Sequence, residues 1–349
     1  MKIIITGNLG YVGPSVVLHL RKTYPNAQLI GIDIGIFAHC MTGVIFQPEA
    51  CLDVQMYKDV RKLSISDFEG VDAVIHLAAI SNDPMGKTFE RITDEINHQS
   101  SIDIAKLSKK AGVKSYVFAS SCSVYGEASE SSKKETDELN PLTAYARSKI
   151  DTELSLQDLA SENFKITCLR FATACGFTSR TRLDLVLNDF VAAAITNGSI
   201  DILSDGSPWR PLIHVSDMAR AIEWAISRES RVGGNSLIVN AGCDEWNYQV
   251  MDLALAVKNE IPNSEVNVNK NAPPDKRSYQ VDFSKFKELA PNHQPIVSLS
   301  KAINGLKNGL LSMNFTDTDF RNSDYIRLNT LNDHIKNSRI TDNLEWISL

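Results

Sequence analysis

The first thirteen residues constrain the fold most. Ile3-Ile4-Ile5 is a short β-branched run, Gly7-Asn8-Leu9-Gly10-Tyr11-Val12-Gly13 follows it, and Val16, Val17 and Leu20 then recur at helical spacing. Strand, glycine turn and helix in that order is the setting of a dinucleotide-binding turn. Glycines let the backbone turn tightly and approach a pyrophosphate, and the following helix presents its N-terminus to that anion. The spacing here is GxxGxxG rather than GxGxxG. A second apolar run, Leu29-Ile30-Gly31-Ile32-Asp33, ends in an acid where the ribose of a bound dinucleotide would lie. A carboxylate accepts hydrogen bonds from a ribose diol and repels a 2′-phosphate. No Arg follows closely, so NAD is expected rather than NADP.

The remaining chain alternates strands and helices. Asp59-Val60-Arg61 precedes a helix, and Val71 to Ala79 reads as the fourth strand, running into small residues that let a backbone approach a cofactor. Tyr116-Val117-Phe118-Ala119 and Ile166 to Phe171 read as buried strands, and 92–111 and 144–159 have helical periodicity. This alternation predicts an α/β fold with a doubly wound parallel sheet and a ligand at the carboxyl ends of its strands. Beyond Phe171 the pattern loosens. Thr178 to Arg182 is a basic, polar loop, Leu183 to Ile195 is expected to be helical, and Asp205 to Pro211 is turn-rich. A further helix is expected over Asp217 to Ala225, with Ser216 as its N-cap. Leu237 to Asn240 is a late strand, Ala272 to Arg277 a loop, and Val281-Asp282 starts the next element. From Asn314 the tail is rich in Asn, Asp and Thr, and is expected to wrap the surface or stay partly disordered.

The chemistry concentrates at Tyr145-Ala146-Arg147-Ser148-Lys149. A Tyr and a Lys four apart share one helix face. An ammonium beside a phenol favours the phenolate, which would make Tyr145 a usable base near neutral pH. Upstream, Ser121 closes the strand at Tyr116–Ala119, so its hydroxyl can meet Tyr145 over a substrate alcohol. The net charge of −6 gives no electrostatic case for nucleic acid. The N-terminus enters a strand at once, without a signal-peptide layout, and no apolar run is long enough to span a bilayer. The six Cys are scattered without CxxC pairs and the seven His are dispersed. Free thiols in a reducing cytoplasm and no metal site are therefore expected.

These motifs together resemble the extended short-chain dehydrogenase/reductases that act on nucleotide sugars, the NAD-dependent epimerase/dehydratase family. The resemblance covers residues 1–310 and runs in family order through Thr6-Gly7 to Gly13, Asp33, Asp59-Val60, His76 to Ala79, Asn97, Ser121 to Gly126, Tyr145 to Lys149, Arg210 and His214 to Asp217. It implies a Rossmann-type NAD-binding domain over 1–170, which also receives about 211–242. A smaller, discontinuous C-terminal domain over 171–210 and 243–310 would hold a nucleotide-diphosphate sugar, and 311–349 would be a polar tail. It further implies that Tyr145 is the base, that Lys149 binds the nicotinamide ribose and tunes Tyr145, and that Ser121 bonds the sugar oxygen. Gly7, Gly10, Tyr11, Val12 and Gly13 would cradle the pyrophosphate of NAD. Asp33 would hold the adenosine ribose, Asp59 and Val60 the adenine edge, and Leu77, Ala78 and Ala79 would flank the cofactor. Ser123, Thr173, Asn188, Arg210 and Arg277 would contact substrate, the two Arg by forked hydrogen bonds to the diphosphate. A homodimer is implied through a four-helix bundle of the 92–111 and 144–159 helices, with Leu154, Leu156 and Leu159 as candidate buried positions.

The departures are informative. Asn8 stands where a second glycine is frequent, and Asn can reach positive φ. Cys122 and Ser123 stand where the family's 4,6-dehydratases carry an Asp-Glu pair. Water elimination needs a general acid and a base, so dehydratase and decarboxylase chemistry are disfavoured. Thr173 stands where many 4-epimerases have Asn. The stretch from Arg170 to Gly176, with Arg180 and Arg182 to Phe190, is locally similar to GDP-heptose 4-dehydrogenases. Oxidation at C4 is expected, as a 4-epimerase, with a 4-dehydrogenase or 4-ketoreductase as the alternative and a non-catalytic nucleotide binder as the reading from a different class.

Overall fold

The computed structural model describes residues 1–43, 46–127, 131–269 and 277–347. In chain order the strands are β1 (Lys2–Thr6), β2 (Gln28–Asp33), β3 (Val54–Tyr57), β4 (Ala73–His76), β5 (Ser115–Ser121), β6 (Lys165–Phe171), β7 (Thr173–Cys175), β8 (Ser199–Ile202), β9 (Trp209–His214), β10 (Ser236–Ala241), β11 (Asn247–Gln249) and β12 (Glu265–Val268). The α-helices are α1 (Gly13–Thr23), α2 (Asp83–Thr88), α3 (Glu90–Asp94), α4 (Ser100–Lys110), α5 (Ala144–Gln157), α6 (Val186–Thr196), α7 (Val215–Ser227), α8 (Val250–Glu260), α9 (Ser284–Leu289), α10 (Leu299–Ser312) and α11 (Arg327–Lys336).

The large sheet has seven strands in the order β10-β6-β5-β4-β1-β2-β3. Every pairing in it is parallel. Its strands are apolar on both faces because helices cover both. Ile3 and Ile5 point to the side of α1 and α7, with Val16, Val17, Leu20, Ala221 and Ile222. Ile4 points to the other side, with Val74, Ile104, Tyr116, Phe118 and Leu156. The chain leaves β1 toward β2 and β3, then returns to β4 on the opposite side of β1. That reversal opens a crevice at the carboxyl ends of β1 and β4, the position where such sheets bind ligands.

The rest of the chain builds smaller layers beside that crevice. β7, β9 and β11 form a three-stranded sheet, and β8 pairs with β12. A separate apolar cluster joins α6, α8 and α10 through Leu187, Phe190, Val191, Leu253, Val257, Ile303 and Leu306. Among the described residues, no helix is long and apolar enough to cross a membrane.

Several local expectations are corrected. The helix expected from Leu183 begins at Val186, because Leu183 is fully buried and its N–H bonds the Tyr325 carbonyl. α7 begins at Val215, and His214 caps it by accepting the Ser216 N–H on Nδ1 at 3.2 Å, so His214 and not Ser216 is the N-cap. Asp59 caps only a 3₁₀ turn over Val60–Lys62. The helix expected over 92–111 is broken into α3 and α4 by a π turn at Glu95–Gln99. That turn carries Asn97, whose amide pairs with both the N–H and the carbonyl of Ile80 at 2.8 and 2.9 Å. The loop expected over 272–277 lies outside the described residues except for Arg277.

The C-terminal tail is ordered and packed. Arg327, Thr330, Leu331 and His334 of α11 are buried. Leu331, Ile340 and Leu344 form one apolar cluster with Ile36, Ile80, Met85 and Ile92. The tail therefore belongs to the wall beside the β2 and β4 ends rather than to the solvent. Leu331→Ala should destabilise the protein by about 2–5 kcal/mol, the usual cost of such a cavity. Urea unfolding would show it, and an unchanged midpoint would mean that the tail docks without contributing stability.

Candidate functional site

The crevice is shaped by missing side chains. Gly7 has φ +71°, and a Cβ there would lie 2.6 Å from the Ala78 nitrogen. A Cβ on Gly13 would lie 2.1 Å from the Asn8 carbonyl oxygen. Only glycine allows the β1 turn, the β4 end and α1 to meet this closely. Gly10 and Val12 complete the turn. Val12 is the N-cap residue of α1 and no side chain caps that helix, so its N-terminus is left for an anion. The positive φ that Asn8 can reach is not used. Instead its side chain lies over Gly31 and donates to Gln55 Oε1 at 2.6 Å.

Asp33 sits at the end of β2, where it accepts the Leu9 N–H at 3.1 Å and the Gly35 N–H at 2.8 Å. Burial raises its pKa, and those two backbone donors oppose the rise. No Arg is near it in sequence, yet Arg180 approaches it in space, ion-paired to Glu49. The Asp59 carboxylate is engaged by Arg61, which donates through Nε and Nη2 at 3.0 and 2.6 Å. Val60 packs on the sheet. Leu77 and Ala78 are held by Thr6: the Leu77 N–H bonds its carbonyl, and the Ala78 N–H reaches its hydroxyl at 3.4 Å. Ala79 follows them at the mouth. His76 is clamped between Thr6 Oγ1 at 2.7 Å and Ser101 Oγ at 2.8 Å. Burial first, and the charge of Lys149 second, push its pKa down to about 3, so it is neutral.

Tyr145, Ser121 and Lys149 converge at the carboxyl end of β5. Thr143 caps α5 by accepting the Ala146 N–H at 3.1 Å, which fixes the turn that carries Tyr145. Ser121 lies near enough to the Tyr145 hydroxyl to lower its pKa, and Ser121 Oγ accepts the Ser123 N–H at 3.1 Å. Lys149 Nζ donates to the Ala119 carbonyl at 2.8 Å and lies 5.5 Å from the Tyr145 ring centre. Burial pushes Tyr145 up to about 12, with Ser121 opposing, and pushes Lys149 down to about 7, with Glu153 opposing. The expected phenolate is thus not the resting form of the cofactor-free protein: desolvation outweighs the nearby ammonium. Ser123 Oγ is buried without a hydrogen-bond partner, as a group aimed at a ligand would be. Cys122 is fully buried, donates its thiol to the Arg170 carbonyl, and is pushed to high pKa by burial, so it cannot serve as an acid or base.

The expected substrate contacts divide. Thr173 begins β7, half-buried and paired with Leu212 of β9. Arg210 is on β9 and donates to the Trp209 carbonyl. Arg277, half-exposed, reaches Asp83 Oδ2 at 3.3 Å. Asn188 is not brought to the opening. Its amide accepts the Gly176 N–H and donates to the Tyr11 hydroxyl and the Arg182 carbonyl, so it positions these groups rather than facing a ligand. Tyr11 likewise points inward, donating to the Gly176 carbonyl at 2.6 Å.

Sequence reasoning missed a polar rim beside Tyr145. Asp83 accepts Thr143 Oγ1 at 2.7 Å as well as Arg277. Arg182 forks onto Asp184 at 2.9 and 2.7 Å and donates to Ser81 Oγ, while Asn82 donates to the same Asp184. Asn82-Asp83-Pro84 was the available signal, since Asn before an early Pro marks a helix start. Asn82 caps α2 in that way. Arg182 and Asp184 lie in the stretch noted for its local similarity to GDP-heptose 4-dehydrogenases, but nothing local marks their pairing with each other. Among the described residues, no group of three or more His, Cys, Asp or Glu could hold a metal.

The Lys149 shift has a signed consequence. Its folded pKa lies below the unfolded value, so the unfolded chain binds the extra proton between about pH 7 and 10.5. Stability from this group rises with pH across that window and is lowest, and constant, below about 7. In the cofactor-free protein, Lys149→Met should gain stability over wild type most at pH 6, with the gain shrinking toward pH 10. Urea unfolding of both proteins across that range measures it, and a pH-independent difference would refute it.

A family model described as the NAD dependent epimerase/dehydratase family matches residues 3–242. The uncharacterized UDP-glucose epimerase YtcB of Bacillus subtilis is 27% identical over 242 residues, covering 67% of this chain and 75% of that protein. In fold, the chain is similar to an NAD-dependent NDP-hexosamine 5,6-dehydratase, TunA, involved in tunicamycin biosynthesis. The TM-score is 0.76 at 22% identity, covering 91% of this chain and 99% of that one. It is also similar to the UDP-glucuronic acid 4-epimerase of Bacillus cereus, solved with UDP-glucuronic acid and NAD. There the TM-score is 0.75 at 22% identity, covering 90% and 100%. The glycine turn, the uncapped α1 N-terminus and the Asp33 carboxylate fit a dinucleotide. With most of its length matched, the chain belongs to the NAD dependent epimerase/dehydratase family, and NAD is its cofactor.

Proposed function

We propose that the protein is a nucleotide-sugar oxidoreductase acting at C4, and that its reaction is 4-epimerisation through a transient 4-keto sugar. The observation that carries this reading is the meeting of Tyr145, Ser121 and Lys149 at one strand end, with no carboxylate at positions 122 and 123. Bound NAD supplies the reversible hydride acceptor. Tyr145 would first release its resting proton to solvent as the cationic nicotinamide binds. As the phenolate, its Oη would take the 4-hydroxyl proton as hydride leaves C4, and would return it when hydride comes back, while Ser121 Oγ holds the oxygen. Lys149, poised near pKa 7, biases the phenol electrostatically. Ser123 Oγ adds a contact to the sugar, and Arg210 and Arg277 hold the diphosphate. Segments 171–210 and 243–310 would form the substrate-binding part beside a Rossmann part built from 1–170 and 211–242.

The test combines a variant with a labelling experiment. Tyr145→Phe keeps the ring and removes the base, so turnover should fall by roughly 10²–10⁴ with NAD still bound. In heavy water, a nucleotide hexose should give its 4-epimer with no deuterium at C5 and no loss of water. Free 4-keto sugar with stoichiometric NADH would replace the epimerase with the 4-dehydrogenase. Deuterium at C5 with water loss would overturn both. Absence of turnover across UDP-, GDP-, CDP- and dTDP-sugars would favour a non-catalytic binder.

We also propose a homodimer formed by α4 and α5 against their symmetry mates, in a reducing compartment such as the cytoplasm. Leu154 supports the first point because it is 58% exposed on α5. Leu156 does not, since it is buried in the protein's own core, and Leu159 is half-buried there. The free cysteines support the second. Sedimentation at micromolar concentration should show a dimer, and a lone 38.6 kDa species would refute it.

A further inference from the structure

Ile34 and Gly35 border an open pocket of about 480 Å³. Its lining combines Tyr57, Lys58, Asp59 and Lys62 with Glu345 and Trp346. The last two come from the C-terminal tail, more than 280 residues away in sequence. Tyr57 is 70% exposed, with its ring laid against Gly35. Trp346 is 44% exposed. Two large aromatic side chains thus line a pocket that starts at Ile34, next in sequence to Asp33, and in a dinucleotide a planar base follows the ribose.

Four separate contacts hold the tail segment in place. Trp346 Nε1 donates to the Ile34 carbonyl at 2.7 Å. Arg61 Nη1 donates to the Asn343 carbonyl at 2.9 Å, while its other nitrogens grip Asp59. Lys62 pairs with Glu345 at 2.8 Å. Leu344 takes φ +56°, a conformation rare for a residue with a side chain, and that side chain is buried. The segment closes on itself as well, with the Thr341 N–H on the Glu345 carbonyl and the Ile347 N–H on the Arg339 carbonyl. The Asp59 carboxylate holds Arg61, and through it the tail.

We propose that Tyr57 and Trp346 clamp the adenine of NAD, and that the C-terminal tail is the outer wall of the adenosine site and slows release of the cofactor. Bases stack on aromatic faces whatever their hydrogen-bonding edges, which suits a pocket whose two acids, Asp59 and Glu345, are already paired with Arg61 and Lys62. The inference rests on NAD occupying the glycine-turn crevice and goes beyond the residues placed there so far. It also bears on the reaction. An epimerase regenerates NAD in each turnover and loses nothing by retaining it, whereas a dehydrogenase must exchange it.

The test uses the full-length protein with NAD and AMP as separate probes. Affinity is measured by calorimetry, and the NAD off-rate by displacement with excess AMP. Trp346→Ala and, separately, Tyr57→Ala should each weaken AMP and NAD roughly 10- to 100-fold, the span that aromatic stacking on a base is worth. They should also speed NAD release correspondingly. AMP should quench part of the tryptophan emission of the wild type, and that part should be missing in Trp346→Phe. Tyr57 is exposed enough that its variant keeps the test open if Trp346→Ala does not fold. Unchanged affinities and off-rate in Tyr57→Ala, with wild type binding normally, would overturn the clamp alone. Wild-type protein that bound neither AMP nor NAD would overturn the placement of NAD in this crevice, and the clamp with it.

Discussion

The position of α5 against the sheet rests on one buried ion pair. Glu153, two turns beyond Tyr145 and one beyond Lys149, accepts Arg170 of β6 through Nε and Nη2, the shorter at 2.7 Å. Ser120 of β5 donates to the same carboxylate. Tyr145, Lys149 and Glu153 fall at i, i+4 and i+8, so they share one helix face. Apolar packing is non-directional and would tolerate a helix that slides or rolls by part of a turn. A forked guanidinium–carboxylate contact does not. Breaking such a pair costs about 3–5 kcal/mol, because the remaining charge is left buried. Arg170 also donates to the Tyr125 hydroxyl at 3.0 Å, which in turn donates to Asn240 Oδ1 of β10 at 2.7 Å. One network therefore ties β5, β6, β10 and α5 together, and the Tyr145–Ser121 contact inherits its precision.

The same pair sets the electrostatics of the site. Glu153 supports the charged form of Lys149, but its charge is already matched by Arg170, so burial prevails and Lys149 titrates near neutrality. His76, beneath the sheet end, is held neutral and adds no competing charge. Around Tyr145, Asp83 raises the phenol pKa, while Ser121 and Arg182 lower it. The hydroxyl is therefore protonated at rest and surrounded by groups of opposing sign. Such an arrangement can give or take a proton as the charge brought into the pocket changes.

What was legible in the sequence shared a short range. The β1 turn, Asp33, and the pairing of Tyr145 with Lys149 are local patterns of strand period, helix period and glycine spacing, and the structure places each of them at one crevice. Ser121 needed only the end of an apolar run. What was not legible depends on distant partners. β3 is an edge strand with Val54 and Tyr57 exposed, so it lacks the apolar run that marks its neighbours. The π turn at Glu95–Gln99 is tied to Asn97 bonding Ile80 across the fold. His214 displaced Ser216 as a cap because a ring nitrogen, not a hydroxyl, lay in reach of the N–H. Arg180 nears Asp33 from 147 positions away in sequence. The tail misled through composition: its apolar residues are dispersed among Asn, Asp and Thr, yet Leu331, Ile340 and Leu344 are buried together.

That tail also joins two properties that otherwise look unrelated. At one end of the crevice, positions 122 and 123 carry no carboxyl group, and the acid near Tyr145, Asp83, is engaged by Thr143 and Arg277, which on the proposed reading suits proton and hydride movement at a single carbon over expulsion of water. At the other end, Arg61, Lys62 and the Ile34 carbonyl hold Asn343, Glu345 and Trp346 over the base pocket. Opening that end requires several contacts to break together, including the packing of Leu344, so it draws on the stability of the tail cluster as a whole. Chemistry confined to one carbon and restored within each turnover makes no demand for cofactor exchange. A chemistry that consumed NAD would be limited by this closure in every cycle. On the proposed reading, the two ends of the crevice serve one reaction, in which the sugar enters and leaves while the dinucleotide stays.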